Sequence, residues 1–207
     1  MDYMHAKLIL ASASARRRKI LTALGAAFDV VIPEIREFFY PFDAQRTARE
    51  NAALKSAWCR ARHPDRYSLA ADTLIEFEGR CIAKAGTLEE AEAFLRMFSG
   101  KTHLVYTAVA MARPRAEPDL VLAESAVRFR SLRGKEIRDY IARVTPLDRA
   151  GAYDIDELGD TLIESYTGSR TNIMGLPEEI VAEWLKREQL ILDSAVVSTT
   201  KHTKITK

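Results

Sequence analysis

Two long β-like runs, Leu104–Ala112 and Leu120–Leu132, face each other across a Pro-containing turn at 113–119. Along the second run, Val121, Ala123, Ser125, Val127 and Phe129 alternate with outward residues such as Arg128 and Arg130, the period of a half-buried strand. A hairpin of that kind is antiparallel. The rest of the chain instead interleaves short apolar runs with helical stretches, the pattern of parallel crossovers. A mixed sheet accommodates both, so the expected fold class is α/β: a mixed twisted sheet with flanking helices.

The other elements follow from local signals. Lys7–Ala11 reads as a short apolar strand, Ser14 as the N-cap of a helix running to about Gly25, and Phe28–Ile32 as a strand ended by Pro33. Asp43–Arg62 is Ala-rich and helical, with Leu54 and Trp58 four apart on one face. Tyr67–Ile75 is β-like, and Glu78-Gly79-Arg80 is a turn. Thr87 and Glu90 form a capping box for a helix that Gly100 stops. Lys135–Val144 is helical. Residues 151–175 are punctuated by glycine, with β segments expected at Thr161–Ser165 and Thr171–Met174. Pro177 suits the first position of a last helix reaching about Leu192. Residues 193–207 are polar and aperiodic, and are expected to form a flexible tail.

Composition sets limits on function. At about 150 residues per domain, 207 residues imply one domain. Hydrophobic residues make up 47%, which excludes a disordered chain. With 31 Lys+Arg against 29 Asp+Glu the net charge is +2, too low for a dedicated nucleic-acid binder, so any basic site is local. No apolar run approaches the ~20 residues of a membrane span. The start of the chain is too short and polar for a secretory signal, and Cys59 and Cys81 make no disulfide framework. The cytoplasm is the expected compartment, with no nucleic-acid and no membrane partner.

The first strand-to-helix junction concentrates Ser12, Ser14, Arg16, Arg17 and Arg18 where free backbone N–H groups and the helix dipole already favour an anion. Hydroxyls and forked guanidiniums match phosphate oxygens. The competing reading is a Ser-capped helix with a solvated basic first turn, though basic residues there oppose the dipole. Asp72 interrupts an apolar strand and needs a partner or a metal. A hairpin at 78–80 would return Lys84 toward it, and on these residues alone a structural ion pair is the commoner arrangement. Lys55 in its helix and Glu37 past a strand end read as surface charges. His103 and the other histidines lack ligand spacing, and Trp58 and Trp184 lie on apolar stripes as core residues.

Taken together, the pieces resemble the Maf family of nucleoside triphosphate pyrophosphatases. Leu8-Ile9-Leu10-Ala11-Ser12-Ala13-Ser14-Ala15-Arg16-Arg17 resembles the family's opening LILAS-x-SPRR, and Ala71-Asp72-Thr73 its ADT. Lys84 falls at the lysine of GKP/EKP. Ser99–Thr107 resembles SG-x-x-H-x-V-x-T, Pro146–Tyr153 resembles EPLDKAGAY, and Gly175-Leu176-Pro177 the late GLP. The match runs collinearly from about Lys7 to Leu192, which makes 1–192 a single Maf-like domain.

The resemblance implies hydrolysis of a nucleoside triphosphate to the monophosphate and pyrophosphate with a divalent cation, Mg²⁺ or Mn²⁺. It also implies two lobes around a central cleft, an inosine-triphosphatase-like fold, and a homodimer. It assigns catalytic roles to Asp72, Lys55 and Lys84, with Lys55 seventeen residues before Asp72 as the family's helix lysine is. Ser12, Arg16, Arg17 and Thr73 would bind substrate, and Glu37 and Asp72 the metal. The alternative it leaves open is a catalytically weak nucleotide-binding regulator of septum formation.

Several positions depart from the family. Ala15 and Ala85 stand where it has proline, and Arg36 replaces an acid beside Glu37. Asp154-Ile155-Asp156-Glu157 stands where the dTTP/UTP subfamily reads GIQG, putting Asp156 at the specificity glutamine. An ionised aspartate only accepts hydrogen bonds, which suits the adjacent donors of guanine and opposes the O4 acceptor of uracil or thymine. Asp156 is therefore a candidate substrate-binding residue that bears on base preference.

Overall fold

Alternating side chains decide the layers. The computed structural model describes residues 8–191. Its elements are β1 (Leu8–Ala11), α1 (Ala15–Ala23), β2 (Phe28–Val31), α2 (Ala44–Arg62), β3 (Ser68–Phe77), β4 (Arg80–Ile82), α3 (Leu88–Phe98), β5 (Thr102–Ala112), β6 (Asp119–Phe129), α4 (Gly134–Val144), a 3-10 turn (Pro146–Asp148), α5 (Gly159–Leu162), β7 (Ile163–Thr167), α6 (Arg170–Met174) and α7 (Glu178–Arg187). The strands form one mixed sheet, ordered β2-β1-β3-β5-β6-β7 with β4 also paired to β3. β1 is parallel to β2 and β3, while β3–β5, β5–β6 and β6–β7 are antiparallel.

The period of two sorts each strand between two cores. Leu8 and Leu10 of β1, Leu69, Ala71 and Ile75 of β3, and Val105 and Val109 of β5 face α1, α3, α4 and α7. Ile9, Ala70, Leu74, Ala108 and Ala110 face α2. Small residues of α2 at i, i+4, i+8 (Ala44, Ala48, Ala52) let that helix approach the sheet closely.

A break in pairing creates the cleft. β5 follows one edge of β3 continuously from Ser68 to Glu76. On the other edge β1 pairs only at Ser68 and Leu69, and β4 only at Ile75–Phe77. Among the described residues no strand covers that edge between Leu69 and Ile75. The sheet is split there, and Asp72 and Thr73 stand in the split.

The fold class expected from sequence holds, with local corrections. The expected strand at Thr171–Met174 is instead α6. Ser169 caps it by accepting from the Asn172 N–H, and Gly175 terminates it at φ +108°. Local capping outweighs the brief apolar run. The turn at 78–80 closes on an additional strand, β4. The last helix has Pro177 at its N-cap and ends at Arg187. Leu192 and the expected tail 193–207 lie outside the described residues.

Candidate active site

The split opens into a cleft of ≈ 630 Å³. Its walls come from the β1–α1 junction, the loop bearing Glu37, Phe38 and Phe39, Lys84 just past β4, the segment Arg149–Ile155, and the end of α6. A ligand site at the carboxyl end of parallel strands is where α/β sheets place one.

On the α2 side, Asp72 is buried, and two residues of α2 engage it. The Lys55 ammonium lies 2.6 Å from Asp72 Oδ1 and 2.6 Å from Glu37 Oε1, one cation between two carboxylates. Asn51 Nδ2 donates to Asp72 Oδ2 at 3.1 Å. These contacts offset the penalty of a carboxylate in an apolar strand. Burial alone would raise the Glu37 carboxyl. The hydrogen bond and charge of Lys55, with the charges of Lys84 and Arg17, hold it below its ordinary value instead.

Across the strand, Thr73 meets α1. Arg17 is buried, and its guanidinium is a bolt: Nε donates to Gly175 O (2.8 Å), Nη1 to Ser12 Oγ (3.1 Å) and Nη2 to Thr73 Oγ1 (3.0 Å). Thr73 continues to Thr107 at 3.0 Å, whose hydroxyl donates to Asn172 O. Burial pulls the Arg17 guanidinium below its ordinary value, against the opposing charge of Asp72. Ser14 caps α1, accepting from the Arg17 N–H, and no acid occupies the first turn. The arrangement leaves a helix N-terminus, hydroxyls and guanidiniums, groups that favour an anion, at one wall and a carboxylate pair at the other.

A family profile described as Maf-like protein matches residues 7–188. The chain belongs to the Maf-like family. It is 39% identical to a dTTP/UTP pyrophosphatase of Deinococcus radiodurans, over 87% of this chain and 92% of the relative. Against the dTTP/UTP pyrophosphatase of Akkermansia muciniphila the identity is 40%, over 86% and 94%. Against that of Thermotoga maritima it is 33%, over 86% and 88%. The solved structure of the Staphylococcus aureus Ham1 protein shares the fold at a TM-score of 0.50 and 17% identity, covering 88% of this chain and 99% of that one.

In this Maf-like protein, Ser12, Arg16, Arg17, Glu37, Lys55, Asp72, Thr73 and Lys84 all line one cleft. The ion-pair partner of Asp72 is Lys55, while Lys84 stands exposed on the rim, bridged through its backbone to Ala150. Asp156 is not among the lining residues. Its carboxylate meets Lys19 at 3.1 Å and Arg170 at 2.6 Å. The carboxylate that faces the cleft is Asp154, held by Arg149 (3.0 Å) and Arg16 (3.4 Å). Burial would raise Asp154, but the Asp156 N–H and the two arginines hold it below its ordinary value.

Sequence reasoning missed Asn51, Asp154 and Arg149. The spacing Thr47-x₃-Asn51-x₃-Lys55, which puts three polar residues on one helix stripe, was the available signal for Asn51. His103 is core, as its sequence context implied: Nε2 meets Tyr153 Oη at 2.9 Å, and burial lowers its pKa to about 3.

Proposed function

We propose that this protein hydrolyses a nucleoside triphosphate to the monophosphate and pyrophosphate, with UTP and dTTP as substrates. The observation that carries the reading is Asp72. It is a buried carboxylate where one edge of β3 is left uncovered, oriented by Lys55 and Asn51, in one cleft with Ser12, Arg16, Arg17 and Lys84. The curated relatives named dTTP/UTP pyrophosphatase support it.

In this mechanism Ser12, the α1 N-terminus, Arg16, Arg17 and Lys84 hold the triphosphate and offset its charge. Asp72 takes a proton from water as its oxygen bonds to the α-phosphorus. The bond from that phosphorus to the bridging oxygen breaks, and its electron pair leaves with pyrophosphate. Thr73 shares its hydroxyl with Arg17, fixing the guanidinium. Glu37 and Asp72 fit a hard divalent cation, Mg²⁺ or Mn²⁺, because both turn an oxygen onto one positive group, Lys55, and two carboxylates plus substrate phosphates suffice for such an ion. That cation supplies charge neutralisation on the phosphate oxygens. Among the described residues no group of three or more His, Cys, Asp or Glu is placed to hold a metal ion, so the proposed cation would take its remaining ligands from substrate phosphates and water.

Base preference follows from the carboxylates at 154 and 156. Asp156 is engaged by Lys19 and Arg170, and Asp154 by Arg16 and Arg149. Neither is left as the free acceptor that guanine's paired donors require, so neither carboxylate selects for guanine. The test is pyrophosphate release from UTP, dTTP and 7-methyl-GTP with Mg²⁺ or Mn²⁺. The expected order is UTP and dTTP well above 7-methyl-GTP, with release abolished by a chelator. A preference for 7-methyl-GTP overturns the base assignment. Nucleotide binding without release supports the regulator instead.

A further inference from the structure

Three polar residues of α2, Thr47, Asn51 and Lys55, lie four apart on one stripe and are 1%, 1% and 8% exposed. Each grips the chain just before the helix. The Lys55 ammonium meets the Glu37 carboxylate at 2.6 Å. Asn51 accepts from the Phe38 N–H at 2.8 Å and donates to the Phe38 carbonyl at 3.1 Å. Thr47 Oγ1 accepts from the Tyr40 N–H at 3.1 Å. Residues 37, 38 and 40 are thereby laid along the helix in the opposite direction to it.

Asn51 reaches one step further, because its second amide hydrogen goes to Asp72 Oδ2 at 3.1 Å. The orientation of the amide is unambiguous: the Phe38 N–H can only donate, so the amide oxygen faces it. Its one carbonyl oxygen and both N–H groups are then committed, two bonds to the loop that carries Glu37 and one to Asp72.

We propose that Asn51 is the positioning residue that sets Glu37 against Asp72. This rests on the reading that these two carboxylates act together in triphosphate hydrolysis. Losing the amide would free the loop at Phe38 and strip Asp72 of a donor at once. The phosphate-holding wall on α1 makes no contact with Asn51 and would be unaffected.

The test compares Asn51→Leu, Asn51→Asp and Thr47→Val with wild type. The measurements are kcat and KM for UTP in pyrophosphate release, and Mn²⁺ binding by electron paramagnetic resonance in the presence of α,β-imido-UTP. Asn51→Leu is expected to lower kcat and Mn²⁺ affinity by about 10–100-fold, the range for residues that orient metal ligands, with little change in KM. Thr47→Val loosens the loop but keeps the bond to Asp72, so it loses less of both. A folded Asn51→Leu with wild-type kcat and Mn²⁺ affinity overturns the proposal, and so does a loss confined to KM. Should Asn51→Leu fail to fold, the isosteric Asn51→Asp decides. It keeps the acceptor for the Phe38 N–H but turns a carboxylate toward Asp72, and wild-type turnover in it overturns the proposal. If wild type itself releases no pyrophosphate, the functional reading fails, whereas an active wild type with unaffected variants defeats the role of Asn51 alone.

Discussion

Asp72 sits in a strand whose neighbours are Leu69, Ala70, Ala71, Leu74 and Ile75, all buried. An unpartnered carboxylate there would be strongly destabilising. Lys55 and Asn51 neutralise and hydrogen-bond it from one helix. Asp72→Asn preserves shape and leaves Lys55 its bond to Glu37, so the fold is expected to survive. Pyrophosphate release is expected to fall by about 10²–10⁴-fold, the usual contribution of a positioned base. Unchanged release in a folded Asp72→Asn variant sinks the assignment. From the sequence, Asp72 stands out as a charge in an apolar run, and Lys84 is the nearest partner that a hairpin returns. The true ion-pair partner, Lys55, is invisible to local reasoning, because the contact depends on how α2 lies across β3.

At the scale of elements, α6 is short but anchors the cleft. Its terminator, Gly175, has φ +108°, and its carbonyl accepts from Arg17 Nε. A Cβ there would stand 3.2 Å from Thr73 Oγ1. Gly175→Ala therefore strains the backbone and presses on the Arg17–Thr73 pair together. The expected outcome is a loss of about 1–3 kcal/mol in urea unfolding, with weaker UTP binding because the arginine is displaced. Wild-type stability and binding would show that the turn tolerates a side chain. The expected strand at 171–174 failed for a related reason. Four residues carry too little periodicity to separate helix from strand, and the caps at Ser169 and Gly175 decided it. Longer elements were legible. Ser14 and Thr87, legible as caps, do cap their helices, and the hairpin β5–β6 pairs from Thr102↔Arg128 to Met111↔Asp119.

For the whole molecule, a net charge of +2 conceals a polarised cleft, because Arg16, Arg17, Lys55, Lys84 and Arg149 converge there with the carboxylates of Glu37, Asp72 and Asp154. Buried titratable groups also make stability depend on pH. His103 is held neutral to about pH 3 in the fold, while its unfolded form takes a proton near 6.5. Below pH 6.5 the unfolded chain binds more protons, so this group removes stability progressively as pH falls toward 3. Denaturant midpoints measured from pH 7 to 4 are expected to decline, and His103→Gln should flatten the decline. An equal slope in the variant would assign it to other groups, such as the depressed Asp154. What the sequence determined by itself was the family, the mixed α/β class and most of the charged residues that line the cleft, because alternation, caps and collinear motifs are local properties of the chain. Tertiary structure decided which charges meet. The split between β1 and β4 opens the cleft, the stripe of α2 joins Glu37 to Asp72, and the arginines draw Asp154 rather than Asp156 to the wall. Those outcomes depend on distances between segments far apart in the chain, which no local pattern encodes.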